Sequence, residues 1–186
     1  EDTKRLCFVG QDTFQAGRTA AGLMGEMTGG TGQVAIISGQ VANPGLISRQ
    51  KGFSTEIKES FPGTEIVDIR YSYDDEWVAS KIVEELLELY PELTGIYITG
   101  HGVKGVCQTL QKLGKDKTMH VIANDFLEEN LKWLKEGTIN FLIGQDAAVQ
   151  GHSPVTILFQ LLFDSKAPEK EYQYTDIVIR TKYNMG

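Results

Sequence analysis

Short runs rich in apolar residues alternate with longer stretches of helical spacing along almost the whole chain. Such runs predict buried strands, because a strand covered on both faces has no polar side. They occupy residues 6–9, 34–37, 65–69, 95–99, 119–123, 139–143 and 177–179. Between them, apolar residues three or four positions apart predict amphipathic helices. Regular strand–helix alternation with short connections is typical of a parallel sheet with helices on both faces, so the sequence predicts an α/β fold.

Residues 6–27 give the pattern of the repeating unit. The predicted strand at residues 6–9 is followed by a polar turn, where Asp12 or Thr13 is placed to cap the next helix. A strand, a polar turn holding a carboxylate and a helix form half of a βαβ unit. Ligands of such folds lie beyond the carboxyl ends of the strands. The polar residues that follow each strand are therefore the candidates for a binding site.

Composition excludes several classes of partner. The chain has 186 residues, which is enough for one domain of ordinary size or one and a half small lobes. Its formal net charge is −7. No cluster of Lys and Arg offers a surface for duplex DNA, and no apolar run approaches the length of a membrane span. Cys7 and Cys107 have apolar neighbours and are interpreted as buried small side chains. The three histidines lie far apart, so no metal site and no cofactor is predicted.

Polar and aromatic residues follow the predicted strands at their carboxyl ends, which gather at one edge of a parallel sheet. Carboxylates, amides and Arg make directional hydrogen bonds, and aromatic rings stack on a flat ligand face. The alternative is that each Asp or Asn only caps its own helix. A ligand role is favoured for Arg49, which lies in the first turns of a helix, because a helix N-terminus repels cations. Trp77 is interpreted as a packing residue. The edge residues besides Arg49 are Asp12, Gln40, Asn43, Tyr73, Asp74, His101, Asn124, Asp125, Gln145 and Asp146.

A glycine-rich segment offers a competing, nucleotide-binding interpretation. Residues 100–105, GHGVKG, fit the pattern G-x-G-x-x-G between a strand and a helix, and Asp125 follows about 20 residues later. That fingerprint usually belongs to the first strand–helix turn, whereas here it follows the fourth predicted strand. A nucleotide-binding α/β enzyme therefore stays open as an alternative. The sequence holds no nucleophile elbow and no Walker loop.

Several segments are similar to the motifs of one family. Residues 9–21, VGQDTFQAGRTAA, are similar to a hinge segment VGxDNxxxGxxAA, with Thr13 where Asn is common, and residues 48–53, SRQKGF, are similar to an RxxGF motif. Asn124-Asp125 stands at the position where this family has a Phe-Asp pair after a strand. Residues 143–151, IGQDAAVQG, are similar to the family's second hinge crossing. The chain thus resembles the type I periplasmic binding protein fold. That fold is shared by sugar-binding transport proteins and by the effector domains of lactose-repressor-type transcription regulators.

The resemblance implies a three-layer α/β/α lobe that binds a small polar ligand, expected to be a sugar. Gly100-His101 replaces the family's usual Asn-Asp or Ser-Asp, so any ligand contact from this turn falls to His101. The implied ligand-binding residues are Arg49, Asp125, Gln145, Tyr73, Asp74 and His101. The implied hinge residues are Asp12, Thr13 and Asp146, with Asp12 setting hinge geometry rather than gripping the ligand.

The resemblance also implies two lobes, of which most of the first lies outside this chain. Residues 10–144 and 177–186 are expected to form the C-terminal lobe of a ligand-binding domain. Residues 1–9 and 145–176 are expected to be hinge crossings and a remnant of the N-terminal lobe. The helix at residues 155–162 would then expose its apolar stripe or bury it in a homodimer.

The leading interpretation is the effector-binding domain of a cytoplasmic, lactose-repressor-type regulator. It would bind a sugar in an inter-lobe cleft without catalysis, and would reach DNA only through an N-terminal head. The first alternative is a periplasmic or extracellular sugar-binding protein of a transporter, and a nucleotide-binding enzyme is the second. A helix-turn-helix upstream of Glu1 would indicate a regulator, and a signal peptide there would indicate transport.

Overall fold

A computed structural model describes residues 4–185, which form eight strands and six helices. The strands are β1 (Phe8–Gln11), β2 (Thr31–Ser38), β3 (Gly63–Tyr71), β4 (Leu93–Ile98), β5 (His120–Asn124), β6 (Phe141–Gly144), β7 (Tyr172–Thr175) and β8 (Val178–Arg180). The helices are α1 (Thr13–Met27), α2 (Pro44–Ser60), α3 (Glu76–Leu89), α4 (Val103–Lys112), α5 (Glu128–Glu136) and α6 (Ala147–Asp164). Strands β2 and β3 extend beyond both ends of the apolar runs that predict them, and the other predicted strands are shifted against their runs by one or two residues.

The main sheet has six strands in the order β3-β2-β4-β5-β6-β8. Neighbouring strands from β3 to β6 run parallel, with Tyr97 of β4 opposite Ile36 on one side and Ile122 on the other. Ala35 and Ile37 face a core formed with helices α3, α4 and α5. On the opposite face, Phe53 of α2 stacks on Tyr97 with ring centroids 4.7 Å apart. These layers confirm the predicted α/β/α fold, with a parallel sheet and helices on both faces.

Helices α1 and α2 approach each other backbone to backbone through two glycines. A Cβ atom at Gly52 would overlap the carbonyl oxygen of Phe14, and one at Gly17 would overlap the carbonyl oxygen of Arg49. No other residue type fits this separation without moving a helix. Helix α1 therefore fixes the position of the turn of α2 that carries Arg49.

The first strand does not belong to the main sheet. Strand β1 pairs in parallel with β7, with Val9 opposite Gln173. The prediction of a buried strand at residues 6–9 is wrong at its start, because Leu6 is exposed and the strand runs from Phe8 to Gln11. The apolar pattern does not predict β7 at all, because the two tyrosines of that strand are exposed.

The chain divides into two compact units. Described residues 4–12 and 144–178 form the smaller unit, and residues 13–143 and 179–185 form the larger one. The assignment of the two predicted parts of the chain to the lobes of a ligand-binding domain stays a prediction. Residues 1–3 and 186, which belong to those parts, lie outside the described residues.

Helix α6 of the smaller unit carries an exposed apolar face. None of the residues of this helix is buried. Its exposed apolar side chains are Val149, Val155, Leu158, Phe159, Leu162 and Phe163. The predicted exposure of the stripe at residues 155–162 is thus confirmed for a single chain, and the homodimer stays a prediction.

Three further expectations concern the cysteines, membranes and metals. Cys107 is buried in α4, where desolvation raises the pKa of its thiol far above the usual range, and Cys7 is half-buried. Across residues 4–185, no helix combines the length and the apolar content that a bilayer crossing requires. In the same part of the chain, His, Cys, Asp and Glu side chains form no group of three that could hold a metal ion.

Candidate functional site

Arg49 is held in the second turn of α2, near the carboxyl ends of the strands. The helix begins at Pro44, and the side chain of Asn43 caps it by accepting hydrogen bonds from the backbone N–H groups of Gly45 and Leu46. Only 4% of Arg49 is exposed. A buried guanidinium is costly unless its charge and its N–H groups have partners. The structure therefore gives Arg49 a fixed place with defined contacts.

The guanidinium of Arg49 connects the ends of two strands. Its Nη1 donates a hydrogen bond of 2.8 Å to the carbonyl oxygen of Thr99, directly after β4. Its Nη2 lies 3.9 Å from Oδ1 of Asp125, directly after β5. The Asp125 side chain is 35% exposed, so the ion pair is buried on the Arg side and reaches solvent on the carboxylate side. This confirms that the two predicted ligand residues lie together.

Asp125 adopts a left-handed backbone conformation with φ of 71°. Its N–H donates to the carbonyl oxygen of Ile143 on the neighbouring strand at 2.9 Å. Its own carbonyl oxygen accepts a hydrogen bond from Nδ2 of Asn130, as does the carbonyl oxygen of Asn124, both at 3.1 Å. The backbone that aims the carboxylate is therefore held from two sides.

A buried polar layer lies beneath this ion pair. Nδ2 of Asn124 donates to the carbonyl oxygen of Ile98 at 2.9 Å and to the hydroxyl of Tyr97 at 3.2 Å. Burial raises the pKa of the Tyr97 hydroxyl, which stays neutral. Oδ1 of Asn124 is buried and has no hydrogen-bond partner within residues 4–185. The layer fixes the end of β5 and keeps Oδ1 of Asn124 as a buried acceptor.

His101 lies on the turn after β4 and is exposed. Together with Asn124 and Asp125 it lines a small cavity of about 50 Å³ between the β4–α4 and β5–α5 turns. The structure thus brings His101 to the same place as Asp125, as the resemblance implies. A contact between His101 and a ligand stays a prediction.

The glycine-rich segment around His101 is already capped by a carboxylate. Oε2 of Glu76 accepts a hydrogen bond of 2.6 Å from the backbone N–H of Gly105, in the first turn of α4. A bound pyrophosphate would use the same N–H groups at a helix N-terminus and would be repelled by this carboxylate. The geometry therefore disfavours the nucleotide-binding alternative.

Tyr73 and Asp74 form the turn after β3, and both have left-handed backbones, with φ of 55° and 62°. The turn is joined to the end of β2, because the N–H of Tyr73 donates to the carbonyl oxygen of Gly39 and its carbonyl oxygen accepts from Nε2 of Gln40. The carboxylate of Asp74 lies so close to Gly39 that a Cβ atom there would overlap it. Tyr73 has an exposed side chain and Asp74 a half-buried one, and their ligand contacts stay predictions.

Trp77 is 69% exposed, so its interpretation as a packing residue is wrong. Helix α3 buries Ala79, Ile82, Val83 and Leu86, and Trp77 lies two positions before the first of these. Two positions correspond to about 200° around a helix, which places Trp77 on the outer face.

The remaining predicted site residues belong to the smaller unit or to its boundary. The carbonyl oxygen of Gln145 accepts a hydrogen bond of 2.9 Å from Oγ1 of Thr175. Asp146 caps α6 with a left-handed backbone and accepts from the N–H of Val149 at 3.3 Å. Asp12 follows β1, and Thr13 is the first residue of α1. A ligand contact for Gln145, and hinge roles for Asp12, Thr13 and Asp146, stay predictions.

Sequence reasoning missed Asn130, which supports Asp125 from α5. Its side chain is a buried polar group on the helix face that also buries Trp133 and Leu134. The available signal was its spacing, because Asn130 lies three positions before Trp133 and four before Leu134, on the apolar stripe rather than opposite to it. A polar residue at such a position needs hydrogen-bond partners.

Residues 1–166 match the family model of the periplasmic binding protein domain. The fold is similar to that of a sugar ABC transporter (sugar-binding protein) from Bacillus halodurans, with 28% identity and a TM-score of 0.92. It is also similar to AraP, an arabinose binding protein from Geobacillus stearothermophilus, with 26% identity and a TM-score of 0.90. An ABC transporter solute binding protein from Burkholderia graminis, in complex with D-arabinose, has 30% identity and a TM-score of 0.89.

These alignments cover 98% of this chain in each case. They cover 66%, 65% and 64% of the Bacillus, Geobacillus and Burkholderia chains, respectively, so this chain spans just under two thirds of their lengths. No curated protein matches the sequence.

Proposed function

The chain belongs to the periplasmic binding protein domain family, and on this premise we propose that it binds a sugar for delivery to an ABC transporter. Its solved neighbours carry the names of a sugar-binding protein, an arabinose binding protein and a solute binding protein with D-arabinose. These names favour the transport alternative over the regulator that the sequence analysis ranks first. The corresponding location is outside the cytoplasmic membrane.

The observation that carries the proposal is the ion pair of Arg49 and Asp125. A guanidinium that is fixed by a backbone carbonyl offers hydrogen-bond donors, and the half-exposed carboxylate 3.9 Å away offers acceptors. A sugar hydroxyl both donates and accepts, so vicinal hydroxyl groups match such a pair. The charges of the pair balance, which suits an uncharged ligand better than a phosphate.

Further contacts of the proposed ligand come from the same edge of the larger unit. Tyr73 offers an exposed aromatic ring, the half-buried Asp74 offers a carboxylate and the exposed His101 offers an imidazole. The contact from Gln145 and the inter-lobe position of the ligand stay part of the proposal. The protein holds its ligand without transforming it.

A thermal-shift screen of the full-length protein tests the binding function. The panel contains neutral pentoses and hexoses, a sugar acid, a sugar phosphate and nucleotides. One of the neutral sugars is expected to raise the melting temperature by about 5–10 °C at a concentration 100 times its dissociation constant. A shift with a nucleotide and with none of the sugars would overturn the proposal.

Measurements of sugar uptake and of transcript levels distinguish a transporter role from a regulator role. A strain lacking the gene is expected to lose uptake of the labelled sugar while the transcript levels of neighbouring genes stay unchanged. Fractionation should place the protein outside the cytoplasm. A cytoplasmic protein whose deletion changes transcription but not the transport step would instead support the regulator.

A further inference from the structure

Asn130 is a buried amide in an apolar setting. It lies in the first turn of α5, is 4% exposed, and shares its helix face with Trp133 and Leu134. An amide in such a place destabilises the fold unless its hydrogen-bonding groups are satisfied. The hydrogen-bond partners of the Asn130 side chain therefore show why an amide stands at this position.

Both partners of the Asn130 amide are backbone carbonyls at the end of β5. Nδ2 donates to the carbonyl oxygens of Asn124 and Asp125, each at 3.1 Å. A primary amide has two N–H groups and can bridge two neighbouring carbonyls, which a hydroxyl with its single proton cannot do. These carbonyls belong to the peptide groups before and after Asp125, so the two bonds bracket the backbone of that residue.

The bracketed turn contains the left-handed backbone of Asp125. A φ of 71° is a sparsely populated conformation for a residue with a Cβ atom, even for Asp, and contacts around Asp125 stabilise it here. One such contact is the hydrogen bond of its N–H to the carbonyl oxygen of Ile143, and another is the bond from Asn130 to its carbonyl oxygen. If the second bond were lost, the backbone could relax to a common conformation and the carboxylate would point elsewhere.

We propose that Asn130 is a positioning residue of the sugar site, which holds the carboxylate of Asp125 beside Arg49. This inference rests on the proposed function. Asn130 lines the small cavity beside the site and acts through the backbone of Asp125, whose Oδ1 lies 3.9 Å from Nη2 of Arg49. An Asp at position 130 would have the same shape, but it would place a carboxylate against two carbonyl oxygens and release the turn.

The test compares Asn130→Ala and Asn130→Asp with the matched control Asn140→Ala. Asn140 supports the opposite end of the same strand, where its Oδ1 accepts from the N–H of Val121 at 2.8 Å. Calorimetry with the sugar identified in the screen should show a dissociation constant raised about 10-fold in both Asn130 variants. The control should unfold at lower denaturant concentration and keep its affinity. An unchanged affinity in the Asn130 variants would overturn the proposal.

A double-mutant cycle separates positioning from general structural damage. In an Asp125→Asn background, Asn130→Ala should weaken binding less than about 2-fold further, because the carboxylate that it positions is already gone. Losses that add in full would mean that Asn130 acts independently of Asp125, and would overturn the proposal.

Amide hydrogen exchange gives a readout that needs no ligand. In the full-length protein, Asn130→Ala should speed exchange at the N–H of Asp125 at least about 10-fold while exchange in the middle of β4 is unchanged. If no sugar binds, the proposed function fails, and hydrogen exchange alone then tests whether Asn130 positions Asp125. Unchanged exchange at Asp125 would then overturn it.

Discussion

Nη2 of Arg49 lies 3.9 Å from Oδ1 of Asp125, although 76 positions separate the two residues in the chain (125 − 49). The contact exists because β4 and β5 are parallel neighbours, so that Thr99 and Asp125 follow them at the same edge of the sheet. Arg49 reaches this edge from α2 and bonds to the carbonyl of Thr99. A charged pair of this kind is preorganised before any ligand arrives.

Arg49→Ala is expected to weaken sugar binding about 100-fold or more, because two charge-assisted hydrogen bonds to the ligand would be lost. Isothermal titration calorimetry measures the effect. The matched control is Arg18→Ala, since Arg18 pairs with Glu56 and Glu59 in the last turns of α2 and not with Asp125. Equal affinities of the wild type and Arg49→Ala would show that this residue does not contact the ligand.

The α1–α2 contact predicts opposite effects for two glycine substitutions. Gly52→Ala should lower the free energy of unfolding by about 1–3 kcal/mol, because the new Cβ atom overlaps the carbonyl oxygen of Phe14. Gly22→Ala should raise it by about 0.5–1 kcal/mol, since Gly22 lies within α1 with open space around it and Ala is the better helix former. Urea unfolding compares the two. Similar effects of both substitutions would contradict the close contact.

The strands of the main sheet could be predicted because both faces of that sheet are covered. Ile36 and Ile37 are both fully buried although they face opposite helix layers, and this produces the continuous apolar runs. The same rule fails for β7, where Tyr172 and Tyr174 are exposed and the strand pairs only with β1. No local sequence pattern predicts that β1 lies outside the main sheet, because strand pairing is decided by tertiary contacts.

The sequence predicts at which edge of the sheet the candidate site lies, but not which side chains contact each other there. Asp125 follows β5 and Arg49 lies near the start of α2, the helix that follows β2, so the parallel topology brings both residues to the same edge of the sheet. The support from Asn130 depends on where its amide points, which a sequence does not show. Trp77 departs from its predicted packing role because its position lies opposite the buried face of α3.

Self-association through α6 is the next prediction. Phe159 and Phe163 stack with ring centroids 4.6 Å apart on the exposed face of this helix, and a second copy of the chain would bury them. Light scattering after size exclusion should show a homodimer that Phe159→Glu converts to a monomer. Trp77→Glu, which also places a charge at an exposed aromatic position, should leave the dimer intact. A wild-type monomer at every concentration would contradict the predicted homodimer.

Acid sensitivity is expected from Glu56 of α2. Oγ of Ser60 donates a hydrogen bond of 2.6 Å to Oε1 of Glu56, and Arg18 forms an ion pair with Oε2. The hydrogen bond from Ser60, followed by the charge of Arg18, lowers the pKa of Glu56 in the folded state. Since the folded state then binds fewer protons than the unfolded chain, this stabilisation is present above the usual glutamate pKa of about 4.3 and is lost as the pH falls through the lower folded pKa.

Urea unfolding of wild type and Glu56→Gln between pH 7 and pH 3 measures this contribution. The variant should unfold at lower denaturant concentration at pH 7. The two proteins should converge as the pH falls below the usual glutamate pKa and through the lowered pKa of Glu56 in the folded wild type. Glu26→Gln is the matched control, because Glu26 is an exposed carboxylate on α1, and its curve should run parallel to that of the wild type. A difference between wild type and Glu56→Gln that stays constant across this range would mean that the contacts with Ser60 and Arg18 do not depend on the charge of Glu56.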